Sequence, residues 1–160
     1  MIFTTPTEYA IRGMAELCGR GGADRPVMLD DLVIGTTLPR DFLAKVFQRL
    51  VKSGLLKSAK GRGGGFMLAK PANLISLEEI INAIDGPIHV DSCVVGLAKC
   101  NDAQPCPQHD LYRPVRERLK EYLKTTTVTD LAESLKTKQA WVRIVGAKTI
   151  EKSKVTNGAY

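Results

Sequence analysis

Residues 38–70 read LPRDFLAKVFQRLVKSGLLKSAKGRGGGFMLAK, and the pattern of these residues predicts the fold class. Its first half repeats apolar residues at helical spacing up to Gly54, a plausible helix end. Its second half holds two short strand candidates, LLKSAK and FMLAK, joined by GRGGG, which indicates a flexible hairpin tip. The stretch therefore predicts a helix followed by a β-hairpin. The predicted inner stripe of the helix is Phe42, Leu43, Val46, Phe47, Leu50 and Val51.

Two further helices are predicted before this stretch. Residues 4–20 place apolar side chains on one face and end at Gly21-Gly22, and residues 28–36 form a shorter helix. Three helices followed by a hairpin is the element order of a winged helix-turn-helix. The sequence therefore predicts a mostly α fold with a small β-hairpin wing, in which residues 1–71 form the winged helix-turn-helix domain.

The rest of the chain divides into four segments. Residues 72–87 hold a connecting helix that starts at a capping-box sequence, Ser76 to Glu79. Residues 88–108 show no periodicity and contain three of the four cysteines, as expected of a functional or disordered loop. Residues 109–136 contain a long amphipathic helix and a short terminal helix. The Lys-rich residues 137–160 are predicted to form a poorly ordered tail.

Composition narrows the class of protein. The 160 residues are 44% hydrophobic, enough for one compact domain or a small domain with an appendage. The net charge of +6 suits a polyanionic partner such as nucleic acid, whereas 6% aromatic content argues against a base-stacking surface. Neither an apolar membrane span nor a signal-peptide pattern is visible, so a cytoplasmic protein is expected. Clustered cysteines in that compartment indicate metal ligands or redox groups.

The third helix and the wing carry side chains suited to DNA recognition. A helix in the major groove presents polar or charged side chains from its N-terminal half, and wing glycines permit close approach to phosphate. Any single charge of this kind is an ordinary solvated residue about as often as it is a DNA contact. The combination of these charges with the helix and the GRGGG tip favours DNA binding. The candidates are Arg40, Asp41, Lys45 and Arg49 in the helix, and Lys57, Lys60 and Arg62 in the wing.

Three cysteines form a second candidate site. Cys93, Cys100 and Cys106 have the spacing C-x6-C-x5-C, which lacks the C-x2-C knuckle of most zinc sites. Wide spacings in a loop favour an iron–sulfur cluster, although spacing alone does not exclude zinc.

A fourth ligand position is left to fill. His109, at the start of the long helix, is the nearest candidate, and Glu8, on the first helix of the same or a partner subunit, is the other. Asp91 and Asp102 are weaker candidates, and His89 is interpreted as structural. Oxygen or nitrogen holds iron less firmly than thiolate, so such a ligand leaves one corner open to oxygen, nitric oxide or iron loss.

Several stretches together resemble a known family. They are FTTPTEYAIRGM, LPRDFLAKVFQRLVKSGLL, GRGGGFMLAKP, ISLEEIINAIDGP, the three-cysteine loop and CPQHDLYRPVRERLKEYL. Over residues 1–136 the chain resembles the IscR/NsrR/RirA group of iron–sulfur winged-helix regulators, the Rrf2 superfamily. The combination of GRGGGF with the three-cysteine loop is the most specific part of this resemblance. The tail after Lys136 lies largely outside it.

The resemblance implies a homodimer that binds palindromic promoter DNA. Its dimerisation helix corresponds to residues 109–124, and its cluster-binding loop to residues 88–108. His109 corresponds to a ligand of the IscR branch, and Glu8 to an acid that the partner supplies in the NsrR branch. Since both are present, and the first cysteine spacing is one residue longer than in IscR, the cluster type stays open between 2Fe–2S and 4Fe–4S. The implied DNA contacts are Arg40, Asp41, Phe42, Ala44, Lys45, Lys60 and Arg62, and the implied cluster ligands are Cys93, Cys100 and Cys106.

The sequence thus predicts a DNA-binding transcription regulator, a repressor, whose promoter binding depends on an iron–sulfur cluster that senses iron, redox or nitric oxide status. Its expected partners are double-stranded promoter DNA and a second copy of the chain, with no membrane and no small-molecule substrate. One alternative is a winged-helix regulator with zinc or redox thiols in the loop. The other is a thiol oxidoreductase, but neither a C-x2-C motif nor a nucleotide-binding glycine loop is visible, so no enzyme is expected.

Overall fold

The first three helices form as the sequence predicts, with one difference in length. The computed structural model describes residues 3–88, 90–97 and 100–138. Helix α1 (Thr5–Gly19) is capped by Thr4, whose side chain accepts a hydrogen bond from the Thr7 amide. Helices α2 (Leu29–Val33) and α3 (Arg40–Lys52) follow. Helix α2 is shorter than the predicted 28–36, because the backbone leaves the helical region at Ile34 and Gly35 has a φ of +74°.

The wing is a two-stranded antiparallel hairpin. Strand β1 (Leu56–Ala59) pairs with β2 (Gly65–Leu68), and Leu56 faces Leu68 at its base. An isolated bridge between Val27 and Phe66 attaches the hairpin to the segment before α2. This mostly helical arrangement with a two-stranded hairpin confirms the predicted winged-helix fold class.

The glycines of the wing allow backbone conformations and close contacts that other residues do not. Gly61 and Gly63 have φ values of +89° and +78°, which other residues rarely adopt. A Cβ added to Gly65 would lie 2.2 Å from the carbonyl oxygen of Val27. The prediction of a merely flexible tip therefore misses that the backbone requires glycine at these positions.

Two helices and a final helical segment follow the wing. A 3₁₀ turn (Ala72–Leu74) leads to α4 (Leu77–Asp85), where Ser76 and Glu79 form both hydrogen bonds of the predicted capping box. Helix α5 (His109–Thr125) comes after the cysteine loop, and residues 128–138 are helical. The predictions for His89 and for most of the tail, 139–160, lie outside the described residues.

One core joins α4 to the winged helix. Ile80 and Ile84 of α4 are buried in the same cluster as Leu43 and Phe47 of α3 and Met14 of α1. A second cluster of Leu77, Ile81 and Leu123 packs α4 against α5. The two helices that flank the cysteine loop therefore belong to one packed body.

Two details of the helix faces refine the predicted pattern. Phe42 does not belong to the inner stripe: it is 37% exposed, and its ring packs edge-to-face on Tyr9 with 5.2 Å between centroids. Cys18 is half-buried against the main core, and this burial raises the pKa of its thiol. Within the described residues, no helix is long and apolar enough to cross a bilayer.

Candidate nucleic-acid interface and cysteine site

The outer face of α3 and the wing tip present unpaired cations. Lys45 is exposed on α3, and Lys60 and Arg62 are exposed at the tip between β1 and β2. In the described part of the chain, none of these three side chains has a carboxylate partner or a hydrogen bond. Cations held in this state can exchange their counterions for phosphate without first breaking an ion pair.

Arg40 differs from these cations, because two carboxylates already hold it. Its Nε donates to Asp30 at the start of α2, its Nη2 lies 3.4 Å from the second Asp30 oxygen, and its Nη1 lies 3.4 Å from Asp41. The hydrogen bond from Arg40 lowers the pKa of Asp30. A DNA contact by Arg40 would therefore compete with Asp30 and Asp41. This pairing leaves no local pattern in the sequence, since Asp30 lies on another helix.

Two other predicted DNA residues are less accessible than the cations. Phe42 is partly covered by Tyr9, and Ala44 is half-buried on the side of α3. Arg49, near the end of α3, donates from Nη2 to the backbone carbonyl of Ile84 in α4. Arg49 therefore already has a structural partner, and the N–H groups left over are the ones that could donate to phosphate while this bond is kept.

Cys93 and Cys106 form one half of the cysteine site. Cys93 is 7% exposed, and its sulfur accepts a hydrogen bond from the backbone amide of Val95, which lowers the thiol pKa. The amides of Leu97 and Gly96 and the side chain of Cys106 contribute in the same direction. The loop therefore wraps backbone donors around a sulfur that is ready to carry negative charge.

Cys100 and His109 form the other half. The Cys100 sulfur lies 3.3 Å from Nδ1 of His109, and the imidazole is only 4% exposed. Its other nitrogen, Nε2, lies 2.8 Å from Asp102, which Arg113 also contacts at 3.2 Å. The hydrogen bond with His109 and the charge of Arg113 lower the pKa of Asp102. Asp102 thus orients the imidazole so that Nδ1 faces the cysteine.

The four predicted donors lie in two pairs and do not form one cage. Among the described residues, no group of three or more His, Cys, Asp and Glu side chains lies close enough to hold a metal ion. Three thiols, backbone donors to sulfur and a carboxylate-oriented imidazole are nevertheless the donor set that iron–sulfur sites use. The residues fit a cluster by their chemistry, and ligation requires the two pairs to come together.

The other predicted acids lie away from this donor set. Glu8 is half-exposed in the first turn of α1, and within the described residues its side chain has no hydrogen bond or ion pair. Asp91 pairs with Lys120 of α5. A role for Glu8 at the cysteines therefore depends on a second subunit, as the resemblance implies.

Arg116 of α5 is a residue at this site that the sequence did not point to. It is 8% exposed, its Nε lies 3.1 Å from Glu117, and the Cys100 sulfur lies beside its guanidinium. An arginine in a charged helix such as RPVRERLKEYL has the pattern of a solvated residue. Only the fold reveals that its side chain is buried next to a cysteine.

Sequence comparison assigns the chain to a family. A model of the Rrf2 family, described as iron-dependent transcriptional regulator, matches residues 3–134. A putative HTH-type transcriptional regulator of Aquifex aeolicus is 32% identical over 133 residues, which cover 82% of this chain and 91% of that protein. The HTH-type transcriptional regulator IscR of Escherichia coli is 31% identical over 134 residues, covering 84% of this chain and 82% of IscR.

Solved structures agree with this assignment. CymR of B. subtilis, described as the global cysteine regulator, matches with a TM-score of 0.68 and 28% identity over 82% of this chain and 96% of CymR. IscR of T. potens has a TM-score of 0.60 at 23% identity, over 82% of this chain and 85% of that chain, and supports the fold alone. These relatives are transcription regulators, so the oxidoreductase alternative is set aside. The chain belongs to the Rrf2 family and is a DNA-binding transcription regulator, not an enzyme.

Proposed function

We propose that the protein is a homodimeric repressor whose promoter binding is controlled by an iron–sulfur cluster on Cys93, Cys100, Cys106 and His109. One observation carries this proposal: His109 is buried, oriented by Asp102, and directs Nδ1 at the Cys100 sulfur from 3.3 Å. A histidine held in this way is prepared to be a metal ligand. Glu8 of a partner subunit is the alternative fourth ligand.

The winged helix supplies the DNA contacts. Residues 1–71 form the DNA-binding unit, with α3 in the major groove and the wing against the backbone. Lys45, Lys60 and Arg62 are the first contacts, because their charges are free. The further contacts are Arg40, Asp41, Phe42, Ala44 and Arg49, of which Arg40 first has to be released from its carboxylate partners. The regulator acts in the cytoplasm, where promoter DNA is found.

The cluster supplies a redox-active and oxygen-sensitive centre, and the chain supplies its ligands and its link to DNA binding. Residues 88–108 are the cluster-binding loop, which follows the connecting segment 72–87 and precedes the dimerisation segment 109–136. The end of α4 contacts Arg49 of the recognition helix. Movement of the loop can therefore change the spacing of two recognition helices, which must lie about one turn of DNA apart. Coupling of about 1–3 kcal/mol would change promoter affinity about 5- to 150-fold.

Anaerobic native mass spectrometry with absorbance spectroscopy tests the cluster. Wild type is expected to carry iron and sulfide, and its mass distinguishes 2Fe–2S from 4Fe–4S. His109→Ala is expected to lose the cluster, whereas Glu8→Ala retains it. Asp110→Ala, next to His109 but exposed, is the matched control. Iron-free wild type after reconstitution would refute the cluster, and loss only in Glu8→Ala would transfer the fourth position to that residue.

The dimer is supported by an uncovered apolar face on α5. Leu111 is 73% exposed and Val115 is 60% exposed on this helix. Exposed apolar side chains at helical spacing are typical of a buried helix interface. Val115→Asp is expected to give a monomer in sedimentation experiments. Leu74→Asp, at a similarly exposed apolar side chain (61%) outside α5, is the control and is expected to leave a dimer. Dimeric Val115→Asp would contradict this interface.

A second candidate function is a thiol switch without a cluster. The proximity of the Cys93 and Cys106 side chains favours it, since oxidation of two neighbouring thiols to a disulfide releases two electrons and two protons to an oxidant. CymR of Staphylococcus aureus, with a TM-score of 0.61 at 25% identity, has been solved in an oxidized form. Peroxide treatment of iron-free protein followed by non-reducing peptide mapping tests for a Cys93–Cys106 disulfide. Zinc in the native mass spectrum would support the third arrangement, a structural metal.

A further inference from the structure

Arg116 lies on the same face of α5 as the candidate ligand His109. The two residues are seven positions apart, which is close to two helical turns. Both side chains are buried, with 4% of His109 and 8% of Arg116 exposed. The Cys100 sulfur contacts both of them, the imidazole and the guanidinium. Arg116 is therefore part of the surroundings of the cysteine site.

The buried guanidinium is incompletely satisfied. Its Nε donates to Glu117, but that carboxylate is 55% exposed and screened by water. Its Nη1 is buried without a hydrogen-bond partner among the described residues. Nearby, Asp91 forms its ion pair with Lys120, and the charge of Arg116 adds only a smaller contribution to the lowered pKa of Asp91. A buried charged donor without an acceptor is costly, and the neutral thiol of Cys100 is a weak acceptor.

We propose that Arg116 is a positioning residue for the iron–sulfur site, which donates to Cys100 once this sulfur is an iron-bound thiolate and which raises the reduction potential of the cluster. The proposal rests on the cluster-based function above. A thiolate accepts the hydrogen bond that the neutral thiol accepts poorly, so ligation satisfies the buried guanidinium. Hydrogen bonds to ligand sulfurs and nearby charge are known determinants of cluster potential.

The direction of the effect follows from charge. One-electron reduction adds one negative charge to the site and involves no bond change in the protein. A fixed buried cation stabilises the reduced form more than the oxidised form. Replacing Arg116 with a neutral residue should therefore move the potential to more negative values and weaken retention of iron.

The experiment compares three variants with wild type by anaerobic redox titration, with dithionite as the one-electron donor. Arg116→Gln is expected to have a more negative potential and to lose its cluster about tenfold faster in air. Arg116→Lys keeps the charge and is expected to lie close to wild type. Arg118→Gln, a matched control at a side chain 81% exposed on the same helix, is expected to equal wild type. Circular dichroism of the iron-free proteins verifies that each variant folds.

Each outcome decides the proposal. If Arg116→Gln folds but binds no iron while Arg116→Lys does, the positive charge is required to hold the cluster, which supports it. An unchanged potential in Arg116→Gln overturns it while the cluster-based function stands. Equal defects in Arg116→Lys and Arg116→Gln overturn it in favour of a role in packing, and a weakened dimer at unchanged potential overturns it in favour of a subunit contact. A wild type without a cluster overturns both proposals.

Discussion

The guanidinium of Arg49 donates a hydrogen bond to the backbone carbonyl of Ile84, and this bond joins α3 to the last turn of α4. The last carbonyls of a helix have no partner within it, so an external donor stabilises them. Asp85, the next residue, accepts a hydrogen bond of 2.6 Å from the Thr4 hydroxyl at the start of α1. The point where the chain enters the cysteine loop is thus held by α3 and by the start of α1.

Arg49→Ala is expected to destabilise the protein. The variant loses a charged hydrogen bond to a carbonyl, which corresponds to about 1–2 kcal/mol of unfolding free energy. Urea denaturation followed by circular dichroism measures this loss. Lys52→Ala, at an exposed residue one turn later in α3, is the control and should change stability little. Equal losses in the two variants would contradict a structural role for the Arg49–Ile84 bond.

Gly13→Ala is expected to destabilise the packing of α1 on α3. A Cβ at Gly13 would lie 2.7 Å from both Leu43 Cδ1 and Phe47 Cε1, and both side chains are fully buried. Overpacking of this kind costs about 1–3 kcal/mol, more than alanine gains in helix propensity. Thermal unfolding of both variants measures the difference. Gly19→Ala is the control and should be neutral or slightly stabilising, because the added Cβ meets nothing within 4 Å. A stabilised Gly13→Ala would contradict the prediction, because it would show that Leu43 and Phe47 can move to accommodate the added methyl group.

Asp30→Asn is expected to strengthen DNA binding. The substitution removes the carboxylate that accepts two hydrogen bonds from Arg40, so that only the 3.4 Å contact with Asp41 still competes with phosphate for the guanidinium. The slope of log affinity against log salt concentration should become steeper by about 0.9 for one added phosphate contact. Fluorescence anisotropy with a promoter fragment at several salt concentrations measures this slope. Glu133→Gln removes an exposed acid from the last helical segment and should not change it.

Glu79→Gln is expected to reduce the sensitivity of the fold to acid. Burial opposes the charge of Glu79, but hydrogen bonds from Lys70 and Ser76 outweigh it and lower the carboxyl pKa. A pKa that is lower in the folded state stabilises the protein above the unfolded pKa, and this contribution is lost as the pH falls through the folded pKa. Wild type should therefore lose more stability than Glu79→Gln between pH 6 and pH 3. Glu78→Gln, in the same helical turn, should show the same dependence of stability on pH as wild type. The prediction fails if both variants reduce this dependence equally.

Local signals made most of the fold predictable. The capping box at Ser76 and Glu79 and the apolar spacing of α3 depend on residues close in sequence, and both form as expected. The end of α2 was misplaced, because the turn at Gly35 overrides the helical pattern that precedes it. The spacing of Phe42 predicts a core position, but its ring lies partly exposed against Tyr9 at the edge of the helix packing.

The contacts that build the candidate site were less predictable. The spacing of the cysteines gives their order along the chain, yet the pairing of Cys100 with His109 and of Cys93 with Cys106 depends on how the loop folds. Arg49 and Arg116 have the sequence context of solvated helix charges. Their partners are a backbone carbonyl and a thiol far along the chain, and neither leaves a compositional signal.

The cysteine loop begins after α4 and ends at α5, and Leu77, Ile81 and Leu123 pack these two helices together. The separation of the loop ends is therefore set by the helices, whatever residues lie between them. Insertions in a loop closed in this way cost little, since closure entropy grows only slowly with length. The number, spacing and type of ligands in the loop can thus diverge while the DNA-binding scaffold stays unchanged. One architecture can in this way acquire different sensing chemistries over the course of evolution.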